Sequence, residues 1–211
     1  MEKSLSLLEL MKTRRSIRRF KPDVVPKECA NMILEAARWA PSAGNRQPWR
    51  FIIVKEADVR EKIGGIYQKM READLKGVPA DSPFYKAVSE RIKADFYKNI
   101  FTSASLLIVV CADPKESFGY RTYPMDCAVA VQNMLLLAHA LGLGSTYIDF
   151  YRPEHKQELK QLKDLLEIPD DIALRAILPL GYPDENPVPP PRKDLHEIVF
   201  QEKYGTVKVL S

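Results

Sequence analysis

Six consecutive apolar residues, Leu106 to Cys111, constrain this chain more than any other stretch. A strand with one wet face alternates apolar and polar side chains, whereas a continuous Leu-Leu-Ile-Val-Val-Cys run suits a strand covered on both faces. The fold must therefore supply one layer above that strand and another below it. Asp126 to Leu141 points the same way. It reads as a helix apolar almost all round, with Gln132, Asn133 and His139 as its few polar members. It is shorter than the roughly 20 residues that a bilayer-spanning helix needs. Such a helix is central to a core, or buries its second face against another copy of the chain.

The remaining segments alternate between helix and strand. Ser4 to Thr13 carries Leu5, Leu8 and Met11 at helical spacing, with Ser6 and Glu9 placed as a capping box. Pro26 to Ala40 is a second helix, with Pro in its first turn and Ile33, Ala36, Ala37 and Ala40 facing inward. Pro41 ends it, and Trp49 to Val54 reads as a strand. Ser145 to Phe150 is extended after Gly142-Leu143-Gly144, Pro153 to Leu166 is a Lys-rich amphipathic helix, and Ile172 to Leu180 is another strand. Pro187 to Pro191 runs as extended polyproline, because each ring fixes φ and removes a donor. Tyr204 to Leu210 is a short strand with nothing nearby in sequence to pair with. Together these elements predict a mixed α+β domain with helices over a central sheet.

Glu56 to Asn99 stands apart. It is charged and helical in character, interrupted by Gly64-Gly65 and by Gly77-Val78-Pro79, with a helix start at Asp81 or Ser82 and Pro83 in the first turn. It is the least apolar third of the chain and reads as a surface excursion or lid rather than core. The 211 residues as a whole read as one domain.

Composition narrows the function classes. Hydrophobic residues at 45% and charged residues at 28% are globular values. A net charge of +4 suits anionic small molecules and gives little support to nucleic-acid binding. Three cysteines (Cys29, Cys111, Cys127) form no Cys-x-x-Cys pair, and Cys111 and Cys127 sit in apolar runs, as inert thiols do in a reducing cytoplasm. His139, His155 and His196 are scattered and share no metal-site spacing. Met1 to Thr13 has no apolar core of signal-peptide length, so a cytoplasmic location is expected, with no membrane partner.

Two motifs carry the chemistry. Arg14-Arg15-Ser16-Ile17-Arg18-Arg19-Phe20 gathers guanidinium forks and a hydroxyl that can surround a dianion. Taken alone, the same run also reads as a solvated basic turn. Pro41 to Trp49 offers backbone groups around Ser42 and Gly44, plus the Asn45 and Gln47 amides, to the edge of a flat ring. Pro and Gly alone would also make it a plain helix stop and turn.

In order along the chain, these two motifs resemble the signature of the FMN-dependent nitroreductase family. Asp126 to Leu141 running into Gly142 to Ile148 is similar to that family's central helix and flavin-facing strand. Leu180-Gly181-Tyr182-Pro183 and Pro191-Arg192-Lys193 resemble its C-terminal elements. The likeness spares roughly Glu56 to Asn99. It implies a three-layer α+β sandwich, with a mostly antiparallel central sheet flanked by helices and a C-terminal strand exchanged in a homodimer. It also implies that Arg14, Arg15 and Ser16 hold the FMN phosphate and ribityl chain, helped by Arg192 and Lys193. Arg18 would lie by the pyrimidine edge of the flavin, and Tyr147 and Ile148, with Asp149, would cover one face. Pro41, Ser42 and Asn45 would reach the flavin of the partner subunit.

The implied reaction is ping-pong. NADH or NADPH reduces FMN, and a nitroaromatic, quinone or similar flat acceptor reoxidises it, with no protein acid, base or nucleophile and no metal required. Within the same fold, a dehalogenase-like enzyme would use a Glu, Tyr and Lys set to clamp an amino-acid zwitterion. Glu90, Tyr97 and Lys98 are the types on offer, at a spacing that does not single them out. A flavin-fragmenting enzyme is a further alternative of this fold. From a different class, a nonenzymatic anion- or nucleic-acid-binding module would use the Arg14 to Arg19 cluster alone.

Overall fold

A computed structural model describes residues 6–118, 122–150 and 152–206. Its sheet is built on β1 (Trp49–Val54), β2 (Leu106–Ala112) and β5 (Ala173–Gly181), with two short strands, β3 (Gly144–Ser145) and β4 (Ile148–Asp149), both paired to β5. The order is β1-β2-β5-β3, and every strand pair is antiparallel. β2 is buried at every position, as its continuous apolar run requires. Leu106, Ile108 and Val110 face one core, while Leu107, Val109 and Cys111 face another.

The first core lies under α2 (Lys27–Arg38) and α6 (Tyr123–Ala140). Ala30, Ile33 and Ala37 of α2 and Ala130, Met134 and Ala138 of α6 are buried there. The second core lies under α3 (Ala57–Ala73), α5 (Phe96–Thr102) and α7 (Lys156–Leu165), which contribute Ile63, Met70, Ile100, Phe101 and Leu162. The expected three-layer arrangement is therefore the one observed. α1 (Leu7–Thr13) is capped by Ser6, whose hydroxyl accepts from Glu9 N, yet buries none of its residues. α4 (Pro83–Lys93) starts after Ser82, whose hydroxyl accepts from Tyr85 N. A single turn, α8 (Leu195–Ile198), closes with an Asp194–Glu197 capping box.

Two expectations are corrected. The segment from 56 to 99 is not held outside the core, because α3 and α5 form much of one of its two halves. Gly64-Gly65 does not interrupt a helix either, since α3 runs through it. A Cβ at Gly64 would stand 2.8 Å from the Lys98 carbonyl oxygen, so glycine there permits close approach of α3 to α5. Charged outer faces hid these buried stripes. The expected C-terminal strand falls mostly on residues 207–211, outside the described residues, and Tyr204 and Gly205 form a turn. Cys111 and Cys127 are buried, and burial pushes both thiols up to about 12. No helix among the described residues is long and apolar enough to cross a membrane.

Candidate functional site

The Arg14 to Phe20 run lies against the β3 side of the sheet. Ser16 pairs with Ser145, Phe20 pairs with Pro183, and Ile17 N donates to Ser145 O at 3.0 Å. Lys21 N donates to Tyr182 O, and Asp184 N to Arg19 O. Two glycines make this fit possible. A Cβ on Gly144 would lie 2.8 Å from Ile17 Cβ and Cγ2, and one on Gly181 would lie 3.0 Å from the Phe20 ring. The arginines are thus fixed by backbone pairing to the sheet, not left on a mobile basic turn.

A groove of about 210 Å3 is lined by Thr13, Arg14, Arg15, His139, Ser145 and Glu185 among others. Burial, followed by the charges of Arg15 and Arg192, holds the Arg14 guanidinium below its ordinary range. Arg15 Nη1 donates to the carbonyls of Lys12 and Arg14, while its Nε is buried without a partner. Arg192 is exposed and bonds only its neighbour's carbonyl. None of the three guanidiniums has a carboxylate within ion-pair distance among the described residues. Glu185 is engaged by Arg18 N, Arg19 N and the Arg19 guanidinium. Arg14, Arg15 and Arg192 thus bring like charges together without carboxylate counter-ions among the described residues, an arrangement that suits an anion. His139 feels the same field: burial, then Arg14 and Arg15, lowers its pKa, and its Nε2 lies 2.9 Å from the Thr13 hydroxyl.

Arg18, Tyr147 and Ile148 open instead onto a larger cavity of about 440 Å3. Thr146 and Asp149 share this edge, and Tyr67, Arg71, Arg91, Phe96, Tyr97, Ile100 and Arg152 line the rest. Tyr67 packs edge-on to Tyr97 and Phe101, with ring centroids 5.9 and 5.3 Å apart. Burial raises the phenol pKa values of Tyr67 and Tyr147, so both remain protonated donors at neutral pH. Of the set weighed for an amino-acid clamp, only Tyr97 lines the cavity. Lys98 is paired to Glu61 at 2.8 Å, and Glu90 is exposed outside the lining.

Pro41, Ser42 and Asn45 are not brought to this edge. They precede β1, at the opposite end of the strand order. Ser42 Oγ accepts from Gln47 N at 3.0 Å, and Gly44, Asn45 and Gln47 all take left-handed φ values. Holding Gln47 there costs energy that glycine would not, a strain of the kind that gathers at functional loops. A buried carboxylate that sequence reading passed over, Asp126, anchors the loop. Its Oδ1 accepts from Ala43 N at 3.1 Å, and its Oδ2 is buried without a partner.

Sequence reading also passed over Arg71, Arg91 and Arg152, which converge from separate segments. Asp74, at the end of α3, accepts from Arg71 Nη1 at 2.5 Å, Arg152 Nη1 at 3.0 Å and His155 Nε2 at 2.8 Å. Asp74, Glu154 and His155 place ligand-type atoms within 4.8 Å of one another. Two guanidiniums already occupy that carboxylate and would repel a metal ion, so the cluster is an ion-pair network.

A sequence model of the Nitroreductase family matches residues 11–182. A protein of Archaeoglobus fulgidus named "Putative NADH dehydrogenase/NAD(P)H nitroreductase" is 37% identical over 191 residues, covering 90% of this chain and 89% of that protein. The iodotyrosine deiodinase of Thermotoga neapolitana is 30% identical over 207 residues, covering 95% of this chain and 98% of its own. Among solved structures, oxidised iodotyrosine deiodinase bound to FMN and 3-iodo-L-tyrosine matches with a TM-score of 0.76 at 27% identity, over 94% of this chain and 99% of that one.

Proposed function

Because the chain belongs to the nitroreductase family, we propose that it is an FMN-dependent oxidoreductase, oxidising NADH or NADPH and reducing a flat, electron-poor acceptor such as a nitroaromatic or quinone. The observation that carries this reading is the unpaired guanidinium cluster of Arg14, Arg15 and Arg192 along the edge that leads to Arg18. These residues fit FMN: a dianionic phosphate supplies the acceptor that Arg15 Nε lacks and the counter-charge that Arg14 lacks. Ser16 joins them at the phosphate, and Arg18 places a positive charge at the far end of the same edge. Tyr147 and Ile148 wall the flat ring. When bound, FMN supplies the redox chemistry, alternating between oxidised and two-electron-reduced forms. The protein's part is to hold it, to favour its reduced anion through Arg18, and to admit reductant and acceptor in turn to one cavity.

We extend the proposal to a homodimer. Pro41, Ser42 and Asn45 lie across the sheet from Arg14 and Arg18, so they meet a flavin only if a second copy presents them. Three helices support the pairing. Leu7, Leu8 and Met11 of α1, Met32 of α2, and Met125 and Val129 of α6 are exposed apolar residues that another copy would cover. The segment from 56 to 99 then serves as part of the cavity's wall, through Tyr67, Arg71, Arg91, Phe96 and Tyr97. The likeness to iodotyrosine deiodinases favours one second reading, reductive dehalogenation in the same cavity.

Absorbance spectroscopy tests the main reading. Protein reconstituted with FMN should show a flavin band that bleaches with NADH or NADPH and returns with a nitroaromatic or quinone. A protein that cannot be loaded with FMN refutes it, and salt-sensitive polyanion binding by such a protein would favour the nonenzymatic module. Iodide release from 3-iodotyrosine by the reduced protein, without turnover of nitroaromatics, would establish the dehalogenase reading instead. Sedimentation tests the homodimer separately.

A further inference from the structure

We infer that the larger cavity selects an acceptor whose flat ring carries a carboxylate or a comparable anionic group. This rests on the flavoenzyme reading and goes past it to the substrate's charge. Arg18, Arg71, Arg91 and Arg152 line the cavity, and Asp149, itself engaged, is the lining carboxylate set against them. Behind the wall, the Asp74 carboxylate is shared between Arg71 and Arg152, and Glu154 reaches Arg152 at 3.7 Å, so the lining guanidiniums with no carboxylate within ion-pair distance among the described residues are those of Arg18 and Arg91.

Arg71 and Arg91 hold donors in reserve. The Arg71 side chain is 15% exposed and packs 5.1 Å above the Tyr97 ring, and its Nε is buried with no partner. A buried donor without an acceptor is costly, and an anionic ligand relieves that cost. Arg91 stands 5.5 Å over the Phe96 ring, and no carboxylate lies within ion-pair distance of it among the described residues. Stacking on the ring orders its guanidinium as a fork matched to carboxylate oxygens. Tyr67, Phe96 and Tyr97 offer aromatic surface to the rest of the ligand. A free amino acid is a poorer fit, because its ammonium would enter a cavity of excess positive charge.

The test uses 4-nitrobenzoate and its uncharged counterpart 4-nitrobenzamide. Calorimetric titration of the oxidised, FMN-loaded protein should give 4-nitrobenzoate about tenfold or more tighter binding, the size of one charge-assisted hydrogen bond. Reoxidation of dithionite-reduced protein should show the same preference in kcat/KM. R91Q, on an exposed position, and R71Q should each cut the benzoate-to-benzamide ratio by about fivefold or more. Equal affinity for the two probes overturns the inference, as does a ratio unchanged in both variants. An R91Q protein that keeps the ratio but loses an NADPH-over-NADH preference also overturns it, since the arginines would then serve the 2′-phosphate on the adenosine ribose of NADPH. Flavin that bleaches and reoxidises without charge preference refutes this inference alone, whereas failure to load FMN overturns it together with the parent reading.

Discussion

Replacing Arg14 by Ala should change FMN affinity and the stability of the flavin-free protein in different ways. In the flavin-free protein, Arg14 is held below its ordinary pKa by burial and by Arg15 and Arg192, so its charge does not stabilise the fold. Its backbone N–H still donates to Leu10 O after substitution. The flavin-free variant should therefore melt at or slightly above the wild-type temperature. Towards the phosphate, one guanidinium making two charge-assisted bonds contributes about 3 kcal/mol, at the low end of roughly 1.5–3 kcal/mol for each. At about 1.4 kcal/mol per tenfold, FMN binding should weaken roughly a hundredfold. A ligand at 100 times Kd stabilises by about 2.7 kcal/mol, or about 5–11 °C for a chain of this size. The same FMN concentration is then only about one Kd for the variant, which leaves about 0.4 kcal/mol and roughly 1 °C. Fluorescence-quench titration and thermal melts with and without FMN read both quantities. FMN affinity within about threefold of wild type would remove Arg14 from the phosphate site. A flavin-free variant melting far below wild type would show that Arg14 holds the fold instead.

Gly144→Ala drives a Cβ to 2.8 Å from Ile17 and should displace the arginine run. Overpacking of this kind costs about 1–3 kcal/mol, so both melting temperature and FMN affinity should fall. Gly65→Ala, with nothing within 4 Å of its Cβ, is the matched control and should hold both. Asp74→Ala leaves Arg71, Arg152 and His155 without their shared acceptor. It should cost about 3 kcal/mol, the low end for breaking a buried pair, and denaturant titration that finds no loss would refute the network. His139 has a pKa below its ordinary value, so as pH falls the unfolded chain takes the proton first. Its contribution is present above about pH 6.5 and fades as pH drops towards the folded pKa. FMN phosphate beside Arg14 and Arg15 should raise that pKa, and a histidine NMR titration unchanged by FMN would count against a phosphate in this groove.

What could be read directly from the residues depended on whether one physical cause dominated locally. β2 and α6 were legible because unbroken apolarity admits few placements, and β1 because Pro41 to Pro48 punctuates its start. Ser6 and Ser82 announce their helices through hydroxyls that meet orphan backbone N–H groups. The path of Arg14 and Arg18 along the β3 side could only be stated as a resemblance, since nothing local shows that Gly144 and Gly181 are the notches that receive Ile17 and Phe20. α3 and α5 were misread because charged outer faces outweigh buried stripes in any count of composition. The larger cavity was illegible for a different reason. Arg71, Arg91 and Arg152 look like ordinary solvated helix and loop charges until the fold collects them, and Asp74 meets His155 across 81 positions of sequence.

Asp74 ties the integrity of this fold to the chemistry proposed for its cavity. Its carboxylate fastens the end of α3 to the segment that leads into α7, through Arg152 and His155. An arrangement selected for stability alone would balance its charges or replace them with apolar packing, which is often at least as stable. Here Asp74 and the solvent-exposed Glu154, the latter 3.7 Å from Arg152, face two guanidiniums and a histidine, while Arg18 and Arg91 on the cavity wall have no carboxylate within ion-pair distance among the described residues. The surplus is positive and borders a cavity walled by aromatic rings, where weak screening strengthens each charge. Full neutralisation of Arg71 and Arg152 would fasten the helices equally well and leave only Arg18 and Arg91 to attract an anion. The imbalance therefore makes better sense as a property of what the cavity binds than of what holds α3 and α7 together.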